Sequence, residues 1–478
     1  MTTISAHRFL PFIKISRWLL LAGLIVSFIA IVILTRFAPQ YIFLLPFLIG
    51  GGIIVWKLFQ HPEINLVFTL LLFSFITMTG EGVSKMEYAV GSYTLAFLAH
   101  WFLTGFIKND RFIKGSLDFI FASFFIWILV TTILSILNGA LLSRIINELI
   151  GMFFLLLYFP IKEIVSKKDH GIFLLIGVLA LQGMYVLARN ITIYIDQITN
   201  ATFVWQLEKG RVTSNEHILL IAIFVMAVWT GYQTTNLRKI FAFIGFILML
   251  LGLIATQSRG YWIDFALGML LLMWVADNSA RLKMLLLLVI GLIILSISGQ
   301  LLFGKSFDLI VIGLIERFLS LGTAVTHDVS LVQRFREAES VWERVWDSPF
   351  VGHGIGVTYI SFDLNVMRTR IDSFVHNGYV ALFFKYGLIG FLLLMTFWFK
   401  SIRAMFLYKQ YRAGNASLPY YREALILFIS ISSLLPSMST SNLFFIKDSV
   451  FTFTALAGTI AGLDLFLKSK LKNIPDVS

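Results

Sequence analysis

Apolar runs follow one another down almost the whole chain, each of about 16–22 residues and long enough to cross roughly 30 Å of hydrocarbon as a helix. They fall at roughly 18–35, 41–58, 64–79, 90–107, 117–137, 145–160, 171–188, 217–233, 240–256, 261–276, 284–303, 376–398, 424–441 and 448–466, about fourteen spans in all. Most polar breaks between them are only a few residues long. Of those on the side that the charge distribution makes outer, two are longer, at roughly 190–216 and 304–375. In the second, residues 330–346 set Leu331, Phe335, Ala338, Trp342 and Val345 at helical intervals, with Arg334, Glu337, Arg344 and Asp347 among them. That spacing predicts an amphipathic helix, and its tryptophans suit a membrane interface. A second surface helix is expected at 307–319, and Pro349 with Gly352, Gly354 and Gly356 calls for an irregular turn. The pattern predicts an all-α, polytopic transmembrane bundle forming a single membrane domain over 1–478. Its long loop, 304–375, is expected to fold as interfacial helices over the outer mouth. No internal repeat or low-complexity tract interrupts it.

Composition strengthens this reading. The chain is 58% hydrophobic and 13% charged, with mean hydropathy +0.87, where soluble proteins carry roughly 25% charged residues. A net charge of +12 could point to nucleic acid, but the distribution of the cations excludes it. With the N-terminus inside, the inside segments collect Arg8, Lys14, Arg17, Lys108, Arg111, Lys114, Lys162, Lys167, Lys168, Arg238, Lys239, Arg281 and Lys283. Five more follow from Lys400 to Arg422, then Lys468, Lys470 and Lys472. The short outside loops hold only Arg36, Lys85, Arg144, Arg259 and Lys447. This is the positive-inside bias, and it puts both termini in the cytoplasm. The first span lacks a good cleavage site and reads as uncleaved. Cysteine is absent, which removes disulfides, thiolate metal sites and cysteine nucleophiles.

That orientation gathers the candidate chemistry at the outer boundary. Arg211 precedes the eighth span, Arg259 occupies the tight turn Gln257-Ser-Arg-Gly260, and His376 with Asn377 opens the twelfth span. Two guanidiniums at headgroup depth can grip a diphosphate through paired, charge-assisted hydrogen bonds. A histidine beside them can take a proton from a hydroxyl. Arg334 and Arg336, on the polar face of the amphipathic helix, and His353, in the glycine turn, are further candidates for contacting glycan or phosphate. Gly352-His-Gly-Ile-Gly356 reads as a turn, since its spacing is not a nucleotide fingerprint and no strand precedes it. Lys385 lies inside a span with no acidic partner evident. The outside segments show neither HExxH nor clustered histidines, so neither a metal nor another cofactor is expected.

Several of these pieces together resemble the O-antigen ligase and polymerase family of bacterial envelopes, which includes Wzy-type polymerases and lipopolysaccharide ligases. The resemblance rests on Ser258-Arg-Gly260, the run Arg336–Trp346, Ser348-Pro-Phe350, Gly352-His-Gly-Ile-Gly356, and His376-Asn-Gly-Tyr379 ahead of Gly387-Leu-Ile-Gly390. It covers about 250–395. It implies a metal-independent, inverting glycosyltransferase of the GT-C type in the bacterial cytoplasmic membrane, with its active site on the outer face. The donor would be an undecaprenyl-diphosphate-linked glycan and the acceptor a second glycan, with a flippase and a chain-length regulator as partners. Arg211 and Arg259 would bind the donor diphosphate, and His376 would act on the acceptor hydroxyl. Around Arg211 the chain departs from the pattern, with Thr-Ser-Asn-Glu-His where many relatives have a Pro-Asn pair. Polymerase and ligase stay open as alternatives. A lipid-linked glycan flippase is the rival of another class, and would call for ionisable residues near mid-bilayer and inverted repeats.

Overall fold

A computed structural model describes residues 45–75, 84–168, 170–200, 215–232, 235–303, 329–364, 367–414 and 420–471, with isolated positions between 308 and 319. The chain divides into two compact units, 1–65 and 66–478. The first carries α1 (Leu45–Gln60), and α2 (Pro62–Leu72) follows. The second continues with α3 (Lys85–Ile107), α4 (Ser116–Leu137) and α5 (Leu142–Phe153), which runs through a 3-10 turn into α6 (Tyr158–Lys167). Then come α7 (Gly171–Asn200), α8 (Glu216–Tyr232), α9 (Asn236–Ala255), α10 (Arg259–Val275) and α11 (Asn278–Phe303). After the long loop, α13 (Gly378–Gly414), α14 (Tyr421–Ser433) and α15 (Lys447–Leu471) close the bundle.

Every expected span but the first overlaps one of these helices; the first, 18–35, lies outside the described residues. Among the described residues, nine helices are long and apolar enough to cross a membrane, and α2 and α8 are shorter apolar helices. This is a predominantly helical, polytopic membrane architecture. The hydropathy pattern works here because lipid leaves each span no way to satisfy its backbone except internally.

Burial separates the helices. On α8, Ile218 through Val225 are fully buried, so an apolar surface on every side marks a core helix rather than a lipid-facing one. The helix α15 lies against α6, and Gly458 and Gly462 explain how closely. A Cβ on Gly458 would stand 2.9 Å from the Tyr158 carbonyl oxygen, and one on Gly462 would stand 2.7 Å from that of Lys162. Hydrocarbon supplies no hydrophobic drive between helices, so a small-xxx-small stripe gains its energy from close packing. Lys162 itself, expected as an inside-loop cation, is instead buried and paired with Asp118 at 2.9 Å.

The long loop differs most from expectation. Its amphipathic helix is present as α12 (Val329–Val345), but it is rotated. Glu337, Val341 and Val345 are the buried row, while Phe335 and Trp342 are exposed. The expected helix at 307–319 falls mostly outside the described residues. In place of further helix there is an antiparallel hairpin, β1 (Tyr359–Asp363) with β2 (Arg368–Asp372), pairing Ile360 with Ile371. Its outward face carries exposed Ile360, Phe362 and Ile371.

Between α12 and the hairpin, the Ser348–Gly356 segment is inserted into a break in α13. Gly387, nine residues into that helix, has φ 61 and ψ −170, a conformation open only to glycine. The unwound backbone is satisfied by the loop. Leu388 N donates to the Pro349 carbonyl at 2.8 Å, His353 N donates to that of Phe384 at 2.8 Å, and Gly354 N donates to that of Lys385 at 2.8 Å. A side chain at Gly387 would meet the Phe350 carbonyl oxygen at 2.3 Å. Gly352-His-Gly-Ile-Gly356 is thus a clasp within the bundle, in line with its reading as a turn. Lys385 does have an acidic partner, contrary to the sequence reading. Its Nζ lies 2.5 Å from Glu148 Oε2 on α5, and that same oxygen accepts from Gly356 N at 3.1 Å.

Candidate functional site

The arrangement starts at the first turn of α13. Asn377 is the N-cap; its Oδ1 accepts from Val380 N at 3.1 Å, which satisfies one of the orphan donors of a helix start. His376, just before it, therefore sits where the helix dipole presents positive potential. The ring of His376 is fixed by Glu337 from α12, with Nδ1 2.8 Å from Oε2. The other carboxylate oxygen, Oε1, accepts the His376 backbone N–H at 2.6 Å. Glu337 is buried while the His376 side chain is 43% exposed. A carboxylate that only accepts requires the proton on Nδ1, so in the neutral ring Nε2 is the lone-pair nitrogen.

Two neighbours stiffen the pair. Phe374 packs edge-on to the His376 ring, with centroids 5.0 Å apart. The Tyr359 hydroxyl donates to the Phe374 carbonyl at 2.6 Å. Burial, and then the Glu337 carboxylate close by, push the Tyr359 phenol far above its ordinary range, so it stays a neutral donor at any working pH.

A short polar turn after α14, Ser437-Met-Ser-Thr-Ser441, joins the remaining pieces. Arg334 on α12 donates from Nη1 to the Thr440 carbonyl at 2.7 Å. A Cβ on Gly260 would stand 3.2 Å from Thr440 Oγ1, and one on Gly378 would stand 3.2 Å from the Met438 carbonyl oxygen. Asn442 Nδ2 donates to the Val375 carbonyl at 2.7 Å. From below, Asp264 on α10 accepts the Ser437 N–H at 3.0 Å. One turn thus abuts the residue after Arg259, holds Arg334 and supports the start of α13 beside His376. Arg259 opens α10 half-buried, one residue beyond its N-cap Ser258, and Gln257 takes φ 51 to make the turn tight.

The sequence candidates separate accordingly. Arg334 bonds to this turn, Arg259 precedes Gly260, which packs on it, and His376 and Asn377 precede Gly378, which packs on it too. Arg336 is exposed on α12, and its carbonyl accepts from Ser340 Oγ at 3.0 Å. His353 Nε2 lies 2.8 Å from the Arg344 carbonyl oxygen, tying the clasp to the end of α12. Arg211 lies outside the described residues. The nearest described residue after it, Asn215, has φ 60 and donates from both N and Nδ2 to Asp448, while Arg189 Nη1 donates to its Oδ1 at 3.0 Å. Among the described residues no three His, Asp or Glu side chains cluster as metal ligands.

Sequence reasoning missed two things. Glu337 stands in the sequence only as one of the polar residues between the apolar ones, although it lies four and eight residues before Val341 and Val345. A lone carboxylate on the buried row of an otherwise apolar stripe was the available signal. The Ser437–Ser441 turn gave no signal of its own, because its role lies wholly in contacts with distant segments.

A search of curated proteins finds no match to the chain. Residues 244–395 match the family model Wzy_C, described as O-antigen ligase. That segment holds Arg259, Arg334, Glu337, the glycine clasp, His376 and the break in α13, and the match supports assigning the chain to the O-antigen ligase/polymerase family.

Proposed function

We propose that this chain is a membrane glycosyltransferase that polymerises undecaprenyl-diphosphate-linked repeat units on the outer face of the cytoplasmic membrane. The observation that carries this reading is the Glu337–His376 pair, a buried carboxylate orienting a half-exposed imidazole, with Arg334 one turn away on α12. In the reaction, the acceptor hydroxyl oxygen attacks the anomeric carbon of the donor glycan. The bond from that carbon to the diphosphate oxygen breaks with inversion. His376 Nε2 takes the hydroxyl proton, and the departing electron pair stays on the diphosphate. Arg259, with Arg211, meets the charge that develops there. The donor is already activated, so orientation and charge stabilisation carry most of the rate. Glu337 is a positioning residue acting through His376.

The family model's description, O-antigen ligase, motivates a second reading, in which the glycan is transferred to a lipid-A core or protein acceptor. Purified protein in nanodiscs, given a synthetic undecaprenyl-diphosphate repeat unit alone, separates the two. A ladder of longer glycans supports the polymerase. No ladder, but a single transfer once lipid-A core is added, supports the ligase. Translocation of the lipid without any transfer would sink both and favour a flippase.

A further inference from the structure

The ring of Phe374 has no place in either hydrophobic core. It is half-buried, yet it packs neither in the core of the bundle nor in the smaller cluster of Val341, Val345, Tyr359 and Phe384. Among the described residues the only ring it touches is that of His376, which stands at 84° to it with centroids 5.0 Å apart. At most one face of Phe374 is taken in that way. We propose that this ring is the sugar platform of the acceptor side, its free face stacking on the C–H face of a pyranose whose hydroxyl is presented to His376 Nε2. The inference rests on the reading of this site as a glycosyltransferase, and adds where the acceptor sugar is held.

Three observations carry it. The first is a clamp on the backbone. The Phe374 N–H donates to Asp372 Oδ1 at 3.1 Å, and its carbonyl accepts from the Tyr359 hydroxyl at 2.6 Å. Tyr359 and Asp372 are partners across the open end of the hairpin. Arg370 Nε in turn holds Asp372 Oδ2 at 3.1 Å. A ring that only filled space would not need both of its backbone groups tied by side chains. A ring that must meet a substrate in one orientation does. The second is the setting. Phe374 stands among Asp372, Ser373, His376 and Asn377, all polar, whereas a ring that faces lipid has apolar neighbours. A sugar carries C–H bonds on its ring faces and hydroxyls at its rim, and an aromatic ring within a polar border matches that division. The third is a donor. Asn377 uses Oδ1 to cap α13, and its Nδ2 makes no hydrogen bond among the described residues. Its two N–H groups are available to a hydroxyl neighbouring the one that attacks.

The test uses the full-length protein in nanodiscs and two water-soluble probes, the synthetic repeat unit freed of its lipid diphosphate and the core oligosaccharide freed of lipid A. Saturation-transfer NMR reads binding without turnover. Wild type is expected to saturate the ring protons on one face of one sugar in one of the probes. Phe374→Trp should keep that pattern and Phe374→Leu should lose it. An unchanged pattern in Phe374→Leu, or no single-face pattern with either probe in wild type, would overturn the platform. The second arm measures transfer from the lipid-linked donor to the bound probe. Phe374→Leu should raise KM for the probe about tenfold, while KM for the donor and kcat hold, and Phe374→Tyr and Phe374→Trp should restore it. A lower kcat with an unchanged acceptor KM would make Phe374 a prop for His376 alone and sink the proposal. A wild type that shows the single-face pattern but transfers nothing to either probe would overturn the glycosyltransferase reading instead and leave the sugar platform standing.

Discussion

Glu337 touches His376 twice, and the two bonds predict different losses. His376→Ala removes the proposed proton acceptor, and transfer should fall by about 10²–10⁴-fold. Glu337→Gln keeps the size and one acceptor but no longer enforces the Nδ1–H tautomer. Its kcat is expected to fall about tenfold or more while KM for the donor holds, with Glu337→Asp recovering part of the loss. A Glu337→Gln enzyme with wild-type kcat would remove Glu337 from the mechanism. Lys385 makes the contrasting case. It is 1% exposed and its partner Glu148, 15% exposed, also binds Gly356 N, so Lys385→Met strands a largely covered carboxylate. The expected cost is about 3–5 kcal/mol, read as a lowered Tm in detergent. Adding Glu148→Gln, which keeps an acceptor for Gly356, should restore much of it. Residue types and positions made His376 and Arg259 legible. Glu337 was obscured because the apolar spacing of 330–346 fits more than one rotation of the helix, and only packing selects the row that is buried.

Among the elements, α13 shows how a motif can be read correctly in kind and still miss its partner. The glycines of Gly352–Gly356 announced a turn. What they could not announce was that the turn fills a gap opened by Gly387 some thirty residues later. Gly387→Ala would hold a side chain in the left-handed region, at about 1–2 kcal/mol, and drive its Cβ into the Phe350 carbonyl. A lower Tm and poor recovery of folded protein are expected, and an unchanged Tm would show that the clasp contributes nothing. The hairpin escaped notice for a different reason. On β1 the apolar Ile360 and Phe362 face outward and Ser361 inward, which inverts the usual alternation. On β2 the run Arg368-Thr-Arg-Ile-Asp372 offers almost no apolar signal at all.

At the scale of the molecule, span positions were readable because each helix satisfies its own backbone within one stretch of sequence. Assembly of the site was not, because it depends on contacts such as Arg334 to Thr440 and Asp264 to Ser437, which local patterning does not encode. Orientation can be checked directly, since the chain has no cysteine of its own. With the hairpin outside, Met367→Cys should react with a membrane-impermeant maleimide in right-side-out spheroplasts, and Lys239→Cys should react only after lysis. The reverse pattern would invert the topology.

The Ser437–Ser441 turn lies beyond 395, the end of the family segment, yet it is the piece that Arg334, Gly260 and the start of α13 all rest against. Synthesis runs from the N-terminus, so His376, Glu337 and the arginines are all made before the part that holds them together. A ribosome paused after α13 would leave a nascent chain with every reactive group in place and no competent site. On the proposed reading, such a chain stays inactive until α14 and the turn have been inserted.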